Sequence, residues 1–365
     1  MRTVYFVQCK FPANHGELND LFKRWEEYGA GVRECSGQNR ITIVSLASRL
    51  NLKDQFNNLG TVTKSTNFFL NLYFTIRDIQ RRENNSTLVA GDNQLSLLFC
   101  LIVKTICPSK IRVQIQFHGD IYSFHKDGGY KGVFRSITSR VALKFSDSIR
   151  IVSQFQESEI LSISGKPVKR FVVAPIQIDY SKIPLESEIQ DNFDIAMVGR
   201  LQEERGIIEA VSILKVLLSE KPNLRIVIIG DGPLREIVIQ NLQREVDGGS
   251  VHFLGSLFGK ELRSIYAQSR VLLSTAPREG YGLTLREAAL SGMRILARDS
   301  NGARQASEDF PESFTLFATS DQAIHSIPSL LNMARSPKGF SKFMDDQRKR
   351  DEEGLERLIN SWISD

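Results

Sequence analysis

Two glutamates, Glu279 and Glu287, stand eight positions apart in PREGYGLTLREAALSG (277–292), across a glycine-flanked turn that runs into a helical pattern. Two kinds of chemistry fit that spacing. Thr284-Leu-Arg-Glu287 matches the Ser/Thr-x-x-Glu capping box, in which the glutamate bonds back to the Thr284 amide. Alternatively, both carboxylates grip hydroxyls of a ligand lying over the helix N-terminus. The first turn, around Gly282, Leu283 and Thr284, presents N–H groups and the positive end of the helix dipole, which favour an anion. Glycines there let a ligand approach the backbone. A carboxylate such as Glu287 belongs beside that anion only if it bonds neutral hydroxyls, such as those of a ribose.

GRLQEERG (199–206) is the second cluster. Gly199, Arg200 and Arg205 follow a strand-like run and precede a helical one, at the strand end where open α/β sheets bind ligands. Guanidiniums match phosphate oxygens bidentately and stay charged, so two of them suit a diphosphate. The bland arrangement pairs Arg205 with Glu203 or Glu204 on a solvated loop. The glycine spacing is neither G-x-G-x-x-G nor a P-loop, which argues against a dinucleotide redox site and a Walker site. In the first half, QFHGD puts His118 at the end of another strand-like run; His125, seven residues on, makes no zinc pattern.

These residues need strands and helices to carry them. Apolar β-rich runs at 3–8, 40–46, 87–91, 111–117, 148–153 and 170–174 predict strands, and the alternation restarts at 194–198, 224–230, 251–255, 270–276 and 293–298. Several are nearly continuous in Val, Ile and Leu, the pattern of strands buried on both faces of a parallel sheet. Helical patterns lie between them, at Glu17–Tyr28, Ser65–Arg82 and Gly132–Phe145 among others. Asp231-Gly-Pro-Leu predicts a helix with Pro233 at its first position. Polar residues and prolines interrupt the periodicity at 175–194. The expectation is an α/β protein of two doubly wound, Rossmann-like domains, residues 1–185 and 186–340, with a C-terminal helix at 341–365.

Length supports two domains, because 365 residues exceed the size at which one core keeps growing. The chain has 47 Lys and Arg against 42 Asp and Glu. Residues 1–185 hold 25 and 15 of these, residues 186–365 the remaining 22 and 27, so a basic half is joined to an acidic one. Only the first half is suited to an anionic partner. Lys126, Lys131, Arg135, Arg140 and Lys144, interleaved with Phe124, Tyr130 and Phe134, make an anionic membrane surface a candidate partner. Nucleic-acid binding would explain the basic half but not the acidic half with its phosphate-suited residues. Four cysteines without CxxC pairing read as reduced thiols, and the N-terminal run lacks a signal-peptide pattern, so a cytoplasmic protein is expected.

GRLQEERG, IIGDGPL, VHFLGSL and PREGYGLTLREAALSG, in that order, resemble the family-4 retaining glycosyltransferases of the GT-B fold. The resemblance is dense over 194–305 and looser over 1–185. It implies two domains facing a central cleft, the second binding a nucleotide-sugar and the first an acceptor, with the C-terminal helix crossing back to the first. It also implies that Arg200 and Arg205, beside Gly199, hold the diphosphate. Glu287 would hold the ribose hydroxyls, and Glu279 would face the donor sugar. Gly282, Leu283 and Thr284 would offer amides to phosphate and sugar, and Gly255 to Leu257 would meet the base. His118 would reach the sugar from the first domain. Acceptor contacts would fall near Asn14 and Gly16, where the family's glycine-glycine loop is replaced by Asn14-His15-Gly16-Glu17.

The implied activity is transfer of a hexose from a UDP- or GDP-sugar to a saccharide or lipid-linked saccharide, with retention, no metal and no further cofactor. Surface polysaccharide or glycolipid assembly in bacteria is the expected setting. Alternatives on the same architecture are a nucleotide-sugar epimerase or hydrolase and a catalytically silent subunit of a transferase complex.

Overall fold

A computed structural model describes residues 2–8, 15–36, 41–45, 67–82, 85–91, 94–117, 137, 140, 141, 143–164, 170–335 and 340–364. The chain divides into two compact units, residues 1–177 with 350–365, and residues 178–349. The polypeptide enters the second unit ahead of the 185/186 boundary read from the sequence, because Ile178 and Ile183 are buried in the second unit's core.

In the first unit six parallel strands form one sheet in the order β2-β1-β3-β4-β5-β6: β1 Thr3–Gln8, β2 Ile41–Ser45, β3 Ser86–Ala90, β4 Ile111–Gln116, β5 Ser148–Ile151 and β6 Phe171–Val173. Alternate residues serve opposite faces, as strand periodicity requires. Tyr5 and Val7 of β1 join a core with the helices α2 (Phe68–Arg81) and α3 (Gln94–Ile106), whereas Val4 and Phe6 join a core with α1 (His15–Ser36). α1 starts before and ends beyond the predicted 17–28. α4 (Gln154–Ser164) completes the first-unit helices before the link.

The second unit is a six-stranded parallel sheet in the order β12-β11-β10-β7-β8-β9. Its strands are β7 Phe193–Val198, β8 Ile226–Ile229, β9 Val251–Gly255, β10 Ser269–Ser274, β11 Arg294–Arg298 and β12 Phe314–Phe317. Read from β9, this is the doubly wound order 3-2-1-4-5-6. Ile195 and Met197 face α5 (Ile207–Glu220), with α6 (Arg235–Asn241) and α7 (Gln243–Asp247) completing the helices between β8 and β9. Ala196 faces α8 (Gly259–Gln268) and α9 (Leu283–Leu290). α10 (Asn301–Asp309) and α11 (Ser320–Asn332) follow β11 and β12. β12 was not read from the sequence. Pro233 lies in the turn before α6, which begins at Arg235, because the Arg235 amide closes a tight turn onto the Gly232 carbonyl at 3.0 Å.

The last helix, α12 (Phe340–Ile363), serves both units: Phe343 and Met344 pack on the second unit's core, and Leu358, Ile359, Trp362 and Ile363 are buried in the first unit's. Trp362 is fully buried, edge-on to Phe6 and Tyr28 with ring centroids 5.1 and 5.4 Å away, and its indole N–H donates to Gln114 Oε1 at 2.6 Å. Thr87 Oγ1 donates to the Trp362 carbonyl at 2.6 Å. Trp362→Ala is expected to cost about 3–5 kcal/mol of first-unit stability. Urea denaturation measures it, and a loss below about 1 kcal/mol would remove this helix from the core.

Candidate active site

Strand order places the site. β7 begins the second sheet, and the chain leaves it toward β8 and β9 on one side before returning to β10 on the other. Loops above β7 and β10 therefore run in opposite directions, the crevice where doubly wound sheets bind ligands. A pocket lies there, lined by Gly199, Arg200, Arg205, Thr275, Glu279 and Thr284 among others.

Gly206 locks the pocket's floor. It ends the single helical turn Glu203–Arg205 and starts α5 with φ +67°, and a Cβ on it would lie 2.2 Å from the Thr275 carbonyl oxygen. Only glycine fits this combination of left-handed backbone and contact. Thr275 Oγ1 donates to the carbonyls of Arg205 and Gly206 at 3.2 and 2.9 Å. The β7 loop is thus stitched to the end of β10.

That stitch brings Arg205 to Glu279. Arg205 Nη1 bonds Glu279 Oε2 at 2.5 Å, and the Gly282 amide donates to the other carboxylate oxygen at 3.3 Å. The Glu279 backbone is fixed as well, because its carbonyl accepts the Gly302 amide at 3.0 Å at the start of α10. Arg205 thus pairs with the distant Glu279 rather than with its neighbours Glu203 and Glu204, and Arg200 lies 3.9 Å from Glu204 with both side chains exposed. Gly199, with φ +150°, has open space where a Cβ would project.

The capping box is not formed. α9 begins at Leu283, and its N-cap is Gly282 at φ +73° with no side-chain capping bond. Thr284 is therefore already inside the helix, and Glu287 sits one turn on, only 4% exposed. Tyr266 of α8 donates its hydroxyl to Glu287 Oε2 at 3.0 Å, and Lys182 Nζ lies 3.9 Å from Oε1. Burial, reinforced by the neighbouring carboxylate, pushes the Tyr266 phenol well above its ordinary value, so it remains a donor. Next to Glu287, the buried Arg286 bonds Asp309 and stacks on Tyr281, its guanidinium carbon 4.3 Å from the ring centroid.

The structure thus gathers Gly199, Arg200, Arg205, Glu279 and Thr284 around one pocket, with Gly282 and Leu283 at the helix start beside it. Glu287 lies on the buried side of the same helix. Gly255 ends β9, two strands from β7, and its carbonyl accepts the Gly230 amide at 2.8 Å. Gly16 lies in the first turn of α1; His118 and Asn14 lie outside the described residues, as do Lys126, Lys131 and Arg135 of the basic stretch. Thr275, Tyr266 and Lys182 were missed by the sequence reading. Thr275 had a detectable signal, a hydroxyl at the carboxyl end of an apolar strand, but Tyr266 and Lys182 reach their partner only through tertiary structure.

Residues 181–343 match the family model of glycosyl transferases group 1. That match falls within the second unit. Among curated proteins, the chain is 24% identical over 272 residues to a phosphatidylinositol N-acetylglucosaminyltransferase gpi3 subunit of Schizosaccharomyces pombe, covering 72% of this chain and 57% of that protein. It is 28% identical over 108 residues to the alpha-monoglucosyldiacylglycerol synthase of Acholeplasma laidlawii, covering 30% and 27%. The chain thus spans little more than half of the first relative's length and about a quarter of the second's. Among solved structures, Anabaena HepE in complex with UDP-glucose superposes with a TM-score of 0.73 at 16% identity, covering 99% of both chains. TarM superposes with 0.71 at 12% identity, covering 100% of this chain and 99% of that one. The fold is GT-B. In the second unit, Gly206→Ala is expected to lower stability by more than about 1 kcal/mol, since neither the left-handed backbone nor the Thr275 carbonyl tolerates the methyl. Thermal unfolding checks this, and an unchanged midpoint would show that the two loops are not locked together.

Proposed function

We propose that the chain is a retaining glycosyltransferase that moves a hexose from a nucleoside diphosphate sugar to an acceptor hydroxyl. The observation that carries this reading is the meeting of Arg205 and Glu279 at the β7/β10 crevice, beside the start of α9. As the glycosidic bond to the donor phosphate breaks, negative charge grows on the departing diphosphate. Arg205 and Arg200 supply cationic donors for it, and the free first-turn amides of α9 supply dipoles. Glu279 faces the sugar hydroxyls. Glu287 takes the ribose hydroxyls, held in orientation by Tyr266 and Lys182. The scheme needs neither a metal nor a further cofactor, because the charge is met by side chains and a helix end. With retention, the acceptor attacks from the face the diphosphate leaves, and a donor phosphate oxygen takes the acceptor proton. His118 belongs to this reading as a contact to the sugar from the first unit, and Asn14 and Gly16 as acceptor contacts.

UDP- or GDP-sugars are the proposed donors. For the acceptor, two relatives carry lipids in their names, a phosphatidylinositol N-acetylglucosaminyltransferase subunit and an alpha-monoglucosyldiacylglycerol synthase, which supports a lipid-linked acceptor in polysaccharide or glycolipid assembly. The proposed location is the cytoplasmic face of a membrane, with Arg140 and Lys144 as the described part of the cationic stretch. No described helix is long and apolar enough to cross a membrane.

A thermal-shift panel of UDP-, GDP-, ADP- and CDP-sugars tests the donor: a true donor at about 100 times its dissociation constant adds about 2.7 kcal/mol of stability. Arg205→Ala is expected to lower turnover by about 10²–10³, the usual effect of removing one donor to a developing anion, and EDTA to leave the wild type active. Activity that vanishes with EDTA and returns with magnesium or manganese would replace the metal-free scheme. No stabilisation by any of the four donors, with no turnover, would remove the transferase reading.

A further inference from the structure

α2 carries apolar residues on both faces. Its N-cap is Asn67, whose side chain accepts from the Phe69 and Leu70 amides, so the helix start is well formed. Ile79 is buried and Phe68, Leu72 and Ile76 pack against the first-unit core, with Asn71 and Thr75 also buried, while Phe69 is 76% exposed and Leu70, Tyr73 and Phe74 are about half exposed. A surface helix of a soluble protein turns its apolar stripe to the core and its polar face to water. Here an apolar inner face is matched by aromatics on the outer one. The neighbouring α3 adds Leu95 and Leu98, also about half exposed, and Ile137, Val141 and Phe145 add more in the helical stretch that α3's Lys104 reaches through the Phe145 carbonyl at 3.2 Å. All three elements contribute to one core on one face of the first sheet, so their outer sides share a surface.

The charges on that surface have one sign. Arg77 and Arg81 of α2 and Arg140 and Lys144 of the later stretch are exposed. Among the described residues of these elements and the turn to β5, the carboxylates are Asp78, bonded to Arg82 at 3.0 Å, and Asp147, bonded to Lys104 at 2.6 Å. Both are thus neutralised locally. Arg77 lies along Tyr73, donating to its hydroxyl at 3.1 Å, and Lys144 lies near the Phe145 ring. Cations rising beside aromatic rings from an apolar face suit the boundary between acyl chains and anionic headgroups.

We propose that α2, with the outer side of α3, docks on an anionic lipid surface, with Phe69, Leu70, Tyr73 and Phe74 entering the headgroup boundary and Arg77 and Arg81 contacting lipid phosphates. At 14 residues α2 is too short to span a bilayer and lies in its plane. A second copy of the chain fits less well, since a two-fold contact through α2 would set Arg77 and Arg81 against their own copies with no carboxylate between them. The docking does not depend on the transfer reaction, and it adds an apolar, inserting element to the electrostatic contact expected from Arg140 and Lys144.

The test uses the full chain and vesicles of phosphatidylcholine alone or with phosphatidylglycerol. Both native tryptophans, Trp25 and Trp362, are buried, so Phe74→Trp supplies a surface reporter. Its emission is expected to shift blue and to be quenched by brominated lipid on anionic vesicles but not on neutral ones. The double variant Phe69→Ser/Phe74→Ser is expected to sediment with anionic vesicles about tenfold less than wild type, since two buried aromatic side chains exceed the free energy of one decade. Its unfolding midpoint and donor stabilisation should be unchanged, which separates lost docking from a lost fold or a lost sugar site. Absence of quenching, or equal sedimentation of wild type and double variant, overturns the proposal. So does a wild-type dimer that the double variant dissolves, which would assign the face to a second copy.

Discussion

An open parallel sheet has one place where the direction of winding reverses, and in the second unit that place is the seam between β7 and β10. Strand pairing alone sets Val271 against Ile195 and Leu272 against Ala196, so the ends of the two strands must emerge together. From there the loops diverge, and the left-handed Gly206 packed against the Thr275 carbonyl holds them together. The ion pair between Arg205 and Glu279, 74 residues apart in the chain, is a consequence of that contact rather than its cause. A partly exposed ion pair adds little to stability. What it supplies is orientation: a guanidinium held with one edge on a carboxylate and the rest of its fork toward the pocket.

The two glutamates of the motif have been sent to different environments by a single left-handed glycine. Gly282 starts α9 one residue before Leu283, which leaves Glu279 outside the helix and puts Glu287 on its buried side. Glu279 shares its oxygens between a charged donor and a backbone amide at the positive end of the helix. Glu287 is enclosed, and a buried carboxylate is tolerated only when its oxygens are met. Tyr266 and Lys182 come from an adjacent helix and from the helical turn Tyr180–Lys182 at the start of the second unit, so the orientation of Glu287 depends on elements far from its own helix. Under the proposed function the first glutamate is free to exchange partners as a sugar arrives, and the second is a fixed point.

Much of this was legible beforehand because it is local. Most of the apolar runs that became β1 to β11 are rich in Val, Ile and Leu; β12, FTLF, has a single Leu and little besides its neighbour β11 to identify it. Gly199, Arg200, Arg205, Glu279 and Thr284 line one pocket, because motifs at strand ends of an alternating α/β chain have few places to go. Local pattern misled where it competed with backbone conformation. Thr284 and Glu287 satisfy the capping-box spacing, yet the left-handed Gly282 starts the helix two residues too early for it. Pro233 suits a first helical position, yet the glycine turn before it delays the helix to Arg235. Partner choice was not legible at all: Arg205 had two acidic neighbours in sequence and took a distant one.

The outer face of α2 is a conflict between local pattern and global fold, and such conflicts in natural chains mark function rather than accident. Phe69, Leu70, Tyr73 and Phe74 lie outward although Phe68, Leu72, Ile76 and Ile79 already face the core, so both sides of the helix are apolar. An apolar outer face gains by burial against a further surface. The charge distribution narrows what that is. Residues 1–185 carry the excess of Lys and Arg, residues 186–365 the excess of Asp and Glu, and the exposed apolar face lies on the basic side. An anionic lipid surface would attract the first unit and repel the second, orienting the molecule before any apolar contact forms. The same sequence asymmetry that sets the basic half apart would then choose which face of the protein meets the membrane.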